Sequence, residues 1–121
     1  MITTGDIVKV PFAYMDSPET EKIRYGLIVS DEEFHKILGR RRYIAVYLST
    51  SLPRYLIEGW EYLIKEGTEI FEQSGLQKTS IIKAHRIALI QEENILEVVG
   101  KVPLSLVNEI REKAIKRMFG L

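Results

Sequence analysis

Apolar and polar positions alternate in short bursts along most of the chain and take a helical period only near its end. Gly5-Asp6 is a turn signal, and residues 7–12 place Val8, Val10 and Phe12 on one face of a first predicted strand. Pro11 near its end marks an edge or a bend. Residues 13–22 are polar around Asp16-Ser17-Pro18 and predict a loop. Residues 23–30 form a second strand, apolar enough to be central. Residues 31–42 are an excursion with room for a short helix. Residues 43–51 make the clearest strand: Ile44, Val46, Leu48 and Thr50 share a face expected in the core. Ala45, Tyr47, Ser49 and Ser51 share the other, expected to line a wet groove. Residues 59–65 predict a fourth strand, while the pattern in 67–75 leaves the element type open. Residues 79–90 predict two short strands or one bent one. There Ile82, Ala84, Ala88 and Ile90 share a parity opposed to Lys83 and His85, and Arg86 breaks it as a bulge would. Residues 97–102 form a last strand. Residues 103–118 predict a helix with Leu104, Val107, Ile110, Ala114 and Met118 on one stripe, opened by Pro103 and closed by Gly120. The sum is a mainly β, β-rich α+β chain: a small barrel or roll with a C-terminal α-helix, as one domain over 1–121.

Length and composition narrow the function classes. The 121 residues suffice to bury a core without crosslinks, and there is no cysteine, which excludes disulfides, thiolate catalysis and cysteine zinc sites. No signal-peptide pattern or membrane-length apolar run occurs, so a cytoplasmic protein with no membrane partner is expected. Lys plus Arg equals Asp plus Glu at 17 each, unlike a strongly basic nucleic-acid binder. Basic clusters at Arg40-Arg41-Arg42, 83–86 and 111–117 are nonetheless local places where phosphates could bind.

Candidate chemistry is sparse. There is no phosphate loop, dinucleotide fingerprint, zincin motif or triad signature, and His35 and His85 are too isolated to suggest a metal site. Arg24 stands inside an apolar strand, where a guanidinium needs an anion. A structural ion pair and a phosphate clamp are comparably good explanations, the planar five-donor fork suiting the latter. Ser49 beside Tyr47 is either an ordinary strand-end hydroxyl or a donor to a phosphate oxygen. Lys83 and His85, taken alone, are a solvated strand face.

The order of these pieces resembles the MazF/PemK family of toxin endoribonucleases. The resemblance runs through Gly5-Asp6-Ile7-Val8-Lys9-Val10-Pro11-Phe12, Ile23-Arg24-Tyr25-Gly26-Leu27-Ile28-Val29-Ser30, the strand ending at Ser51, Gly75-Leu76-Gln77-Lys78-Thr79-Ser80-Ile81-Ile82-Lys83, His85-Arg86-Ile87 and Val99-Gly100-Lys101-Val102. It implies a small SH3-like β-barrel with a C-terminal helix, a homodimer, a cognate antitoxin and metal-independent, cofactor-free cleavage of single-stranded RNA. In that chemistry the 2′-hydroxyl attacks the adjacent phosphate, leaving 2′,3′-cyclic phosphate and 5′-hydroxyl ends. The family's catalytic Arg matches Arg24, and its Thr matches Ser49, with Thr50 one place along. The Pro that follows the family's Arg is Tyr25 here, and relatives carry Asp or Gln where His85 stands.

The resemblance makes Arg24, Ser49 and His85 the candidate catalytic residues. Arg24 supplies charge and the acid, Ser49 orients the phosphate, and His85 offers an imidazole, whose ordinary pKa of about 6.5 suits proton transfer. Lys22, Tyr25, Tyr47, Thr50, Lys83 and Arg86 are the candidate RNA contacts, the tyrosines by stacking on unpaired bases. The competing readings are a barrel of the same fold that poisons a protein target through its terminal helix (CcdB-like), and one that binds RNA without cutting it. The apolar end Met118-Phe119-Gly120-Leu121 suits the first, and a glycine helix cap explains it equally well.

Overall fold

A computed structural model describes residues 1–14, 17–37 and 39–121, the side chains of 12–21 excepted. Six strands form one antiparallel sheet: β1 (Asp6–Tyr14), β2 (Ser17–Ile28), β3 (Arg42–Ser49), β4 (Glu61–Ile64), β5 (Ser80–Gln91) and β6 (Glu97–Lys101). Their order across the sheet is β4-β5-β3-β2-β1-β6. Helix α1 (Glu32–His35) follows β2, α2 (Glu69–Ser74) precedes β5, and Glu92–Asn94 is a 3-10 turn. The C-terminal helix runs as α3 (Leu104–Ile110), a π-helical turn (Arg111–Ile115) and α4 (Lys116–Met118). The mainly β architecture with a terminal helix agrees with the sequence expectation.

The sheet curls into a half-barrel until α2 bridges toward its far edge. Gly75, in the left-handed conformation that caps α2, meets Gly100 of β6 backbone to backbone. A Cβ on Gly75 would collide with the Val99 carbonyl, and one on Gly100 with the Ser74 backbone, so only glycine fits at either point.

Inside the curl, Ile7, Leu27, Val46, Leu48, Ile82 and Ala84 pack with Val107, Ile110 and Ala114 of the terminal helix. Each fully buried aliphatic side chain contributes roughly 1.5–3 kcal/mol. A second cluster covers the outer face: Ile2, Val8, Val10, Ile28, Tyr43, Ala45 and Ile90. Ile7 and Val8 are therefore both fully buried, one on each side of β1. The second face of β3 accordingly differs from expectation. Its first half, Tyr43 and Ala45, lies in the outer core, and only Tyr47 to Ser51 borders a groove.

Two further expectations are corrected, and the alternatives left open over residues 79–90 resolve to the bent strand, with a change of face at its bulge. The polar stretch 13–22 is not a free loop, for β1 extends to Tyr14 and β2 begins at Ser17, with Phe12 opposite Lys22 and Ala13 opposite Glu21. A two-stranded ribbon can be polar on both sides, so hydropathy does not reveal it. Residues 79–90 form one strand with a bulge: Val46 pairs with Ile87 but Tyr47 with Lys83, skipping Ala84, His85 and Arg86. An odd number of extra residues reverses the faces. Ile82 and Ala84 therefore point into the inner cluster, while Ile90 joins the outer one and Ala88 packs against it. Leu104 begins the helical stripe but is 59% exposed, the stripe reaching the core only from Val107. Pro11 sits where β1 has lost its β6 neighbour, since that ladder ends at Lys9, so its missing N–H leaves no β6 bond unmade.

A polar network pins α1 to the outer core. Arg41 reaches both Glu32 oxygens (2.6 and 3.0 Å), the Tyr43 hydroxyl (2.8 Å) and the Ile2 carbonyl (2.9 Å). Tyr43 donates to Glu92 at 2.8 Å, and buried His35 lies between Ser30 Oγ (2.7 Å) and Glu32 (3.3 Å). Ser30, His35 and Glu32 do not form a nucleophilic triad, because Ser30 Oγ already accepts the Ile44 N–H at 2.8 Å and the imidazole is fully enclosed.

Candidate functional site

Beyond Tyr25–Leu48, the last pair between β2 and β3, lies an open groove of about 250 Å³; Arg24, Tyr47 and Ser49 line it from outer-face positions, Lys9 and Tyr25 from the alternate ones, and Thr50 from the strand end. The register explains the meeting. Tyr25 pairs with Leu48 and Gly26 with Tyr47, so Arg24, two residues before Gly26, emerges on the Tyr47 face of the sheet. Arg24 Nε donates to the Tyr47 hydroxyl at 3.1 Å and Nη1 to the Ile23 carbonyl at 3.0 Å. Those contacts orient the guanidinium along the groove. Ser49 Oγ accepts the Ser51 N–H at 3.1 Å, which anchors a cluster of hydroxyls at the strand end.

The face continues across the sheet. Tyr47 stands opposite Lys83, and Lys83 stands opposite Glu61 on β4. Arg86, thrown out by the bulge, lies over the Tyr47 ring at 5.4 Å, a cation–π contact. His85 reaches toward β4 instead of β3: its Nε2 is 3.4 Å from Glu61, whose other neighbours are Lys83 Nζ at 3.9 Å and the Ile57 N–H at 2.9 Å. Burial alone pushes the Glu61 carboxyl up, but the Ile57 N–H, His85 and Lys83 outweigh it and hold it below the usual carboxylate range.

Of the sequence candidates, Arg24, Tyr25, Tyr47, Ser49 and Thr50 come together in the groove. Lys83 and Arg86 border it through Tyr47. His85 does not line the groove and is tied to Glu61 one row away. Lys22 is exposed on Arg24's strand face, two residues upstream, and also does not line it. Two site residues escaped sequence reasoning. Lys9 lines the groove from β1, and its signal was a lone cation between Val8 and Val10, the same signal that singled out Arg24. Glu61 is a buried carboxylate between Trp60 and Tyr62, a pattern as visible as the first. Among the described residues no group of three or more His, Cys, Asp or Glu could hold a metal ion.

A curled antiparallel β-sheet with a terminal helix, bearing an open groove lined by an arginine and strand-end hydroxyls, defines a small, mainly β domain. Residues 3–119 match the model of the PemK-like, MazF-like toxins of type II toxin–antitoxin systems, and the chain belongs to that family. Solved structures share the fold at low identity. An endoribonuclease in complex with its cognate antitoxin, from a mycobacterial species, is 20% identical with a TM-score of 0.69, over 100% of this chain and 97% of that one. The MazE–MazF structure from Deinococcus radiodurans is 15% identical with a TM-score of 0.66, over 99% and 96%. The Mycobacterium tuberculosis toxin MazF-mt6 is 18% identical with a TM-score of 0.60, over 93% and 97%. Among curated proteins none matches this chain in sequence. No helix among the described residues is long and apolar enough to cross a membrane.

Proposed function

We propose that this chain is the toxin of a type II pair and cuts single-stranded RNA at selected sequences, without metal or other cofactor. The observation that carries the proposal is the Arg24 guanidinium, oriented by Tyr47 beside the Ser49–Thr50–Ser51 hydroxyls in an open groove. Phosphoryl transfer by an internal hydroxyl needs little from a protein beyond positioning, charge stabilisation and proton transfer. Arg24 neutralises the developing phosphorane and hydrogen-bonds the leaving 5′-oxygen, and Ser49 or Thr50 orients a non-bridging oxygen. His85 accepts the 2′-hydroxyl proton. Lys9, Lys22, Lys83 and Arg86 hold flanking phosphates, and Tyr25 and Tyr47 offer rings to unpaired bases.

The same proposal includes one domain over 1–121, a cytoplasmic location, a homodimer and a cognate antitoxin. The homodimer is supported by an apolar strip on β5. Ile87 and Leu89 stay exposed although their cross-strand neighbours Val46 and Ile44 belong to or pack on the inner cluster. A CcdB-like reading is favoured by one observation: Phe119 and Leu121 stay exposed on either side of a glycine cap in which the Leu121 N–H bonds the Lys116 carbonyl at 2.8 Å. Incubating the purified protein with single-stranded RNA in EDTA and analysing the ends separates the two. Cyclic phosphate and 5′-hydroxyl ends are expected. Intact RNA, with growth arrest on expression in cells, would replace the nuclease with a protein-directed toxin.

A further inference from the structure

Glu61 has no assigned part in the cleavage proposed above, yet it is nearly enclosed, its side chain 5% exposed. A carboxylate persists in such a place only where partners offset the lost hydration. The Ile57 N–H binds one oxygen, and the other faces His85 Nε2 at 3.4 Å and Lys83 Nζ at 3.9 Å. The β4–β5 register sets Glu61 opposite Lys83, and the Ala84 N–H bond to the Trp60 carbonyl at 2.9 Å holds the start of the bulge against β4. His85 follows directly, which brings its ring back to Glu61.

The geometry points to Glu61 as a positioning residue: it fixes His85 in the tautomer whose Nδ1 accepts a proton, and it holds Lys83 beside Tyr47. This deepens the nuclease reading and rests on it. An ionised carboxylate has no hydrogen to give, so its contact with His85 requires the hydrogen on Nε2. A neutral imidazole carries only one, which leaves the lone pair on Nδ1. Among the described residues Nδ1 has no hydrogen-bond partner, and the His85 side chain is 34% exposed, so a substrate can reach it. When the 2′-oxygen attacks, its proton passes to Nδ1 and the oxygen–phosphorus bond forms. The bond from phosphorus to the 5′-oxygen breaks, and that oxygen takes a proton from water. The resulting imidazolium is stabilised by Glu61. Other charges near the pair are Lys83 and Arg86 on β5, Tyr47 on β3, Glu58 before β4, and Glu109, Glu112, Lys113 and Arg117 of the C-terminal helix around the depression that Glu61 also lines. Of the carboxylates, Glu61 is the one that touches the ring.

Two measurements test this. Long-range proton–nitrogen spectra of the wild-type protein, labelled with nitrogen-15 and taken with His85 neutral, should show the Nε2–H tautomer; a predominant Nδ1–H form would overturn the assignment. The second is steady-state cleavage of a short mixed-sequence single-stranded RNA in EDTA by Glu61→Gln, His85→Asn and the double variant. Glutamine keeps an acceptor but loses the charge, so kcat should fall on the order of 10-fold with KM within about twofold. The double variant should be no slower than His85→Asn alone, because Glu61 acts through His85. Losses that multiply would mean a general structural role and overturn the proposal. If Glu61→Gln does not fold, the wild-type tautomer and His85→Asn decide, an undiminished rate in the latter counting against it. Wild-type cleavage that Arg24→Ala abolishes, with full activity in Glu61→Gln, removes Glu61 and leaves the nuclease standing. No cleavage by the wild type removes both, whatever the tautomer.

Discussion

A guanidinium placed among apolar strand residues must be held, and Tyr47 and the Ile23 carbonyl hold Arg24. Arg24→Ala should leave the fold intact, because the side chain is only half-buried and faces the groove. Cleavage should fall by at least about 10²–10³, the usual cost of losing one preorganised donor to a developing oxyanion. Arg24→Lys should restore little, since a point charge cannot copy the fork. Ser49→Ala should lose less than Arg24→Ala, a neutral donor contributing less than a charged one. Single-turnover rates with circular dichroism check all three, and normal cutting by folded Arg24→Ala would dismiss the groove. A second prediction concerns acid. Hydrogen bonding from Arg41, against a smaller opposing push from burial and with help from His35, holds the Glu32 carboxyl down to about 2 from its ordinary 4.5. Its folded pKa is the depressed one, so its contribution is full above about 4.5 and is lost as pH falls toward 2. Glu32→Gln should flatten stability over that window, read as urea midpoints against pH. Arg24 was legible as a lone cation in an apolar run, whereas the Glu32–Arg41 network joins residues nine apart through a turn that no periodicity describes.

Gly75 and Gly100 carry the closure between α2 and β6, and the cost of altering them belongs to the elements they join. Gly75→Ala combines a φ of 73° with a collision at Val99, and should destabilise by at least about 2 kcal/mol. Gly39→Ala shares the positive φ (74°) but meets nothing within 4 Å, so it should cost only about 1 kcal/mol. Equal urea midpoints for the two would mean the backbone contact carries no energy. Strands β1, β2 and β3 and the C-terminal helix were legible because they bury apolar positions at a regular period, and β6 was legible as a short apolar run although only its Val99 packs on the core. The bulge in β5 was visible at Arg86 as a broken alternation, but its consequence was not. Whether one or two residues are skipped decides the face, and only pairing with Val46 and Tyr47 reveals that three are. Helix α2 had its signals in place, since the Thr68 side chain accepts the Phe71 N–H at 3.3 Å and Gly75 supplies the left-handed cap. A six-residue helix is too short for a period to separate it from a strand, so its signal lies in the caps and not in hydropathy.

At the scale of the molecule, the exposed Ile87 and Leu89 strip predicts self-association, and sedimentation equilibrium at micromolar concentration should give twice the 14.0 kDa chain mass. A Leu89→Lys variant should sediment as monomer, and an unchanged dimer would place the interface elsewhere. Charge makes the last prediction. The chain is neutral overall, with 17 basic and 17 acidic residues, so no long-range field gathers RNA over the whole surface. Binding must come from cations the fold concentrates: Lys9 and Arg24 in the groove, Lys83 and Arg86 at its border, and Lys22 on Arg24's strand face. Lys83 is partly engaged by Glu61, which lowers what it offers a phosphate. Each neutralised phosphate of a single strand contributes about −0.7 to the slope of log K against log salt, so these side chains set a slope near −3 per groove. Fluorescence titration of a short RNA with the Arg24→Ala variant should give a slope shallower than wild type by about 0.7. Lys78→Ala, outside the groove, should leave the slope unchanged. A wild-type slope steeper than about −6 would mean that many more phosphates are neutralised than the groove can touch, and the RNA would then follow a basic surface other than the one built around Arg24.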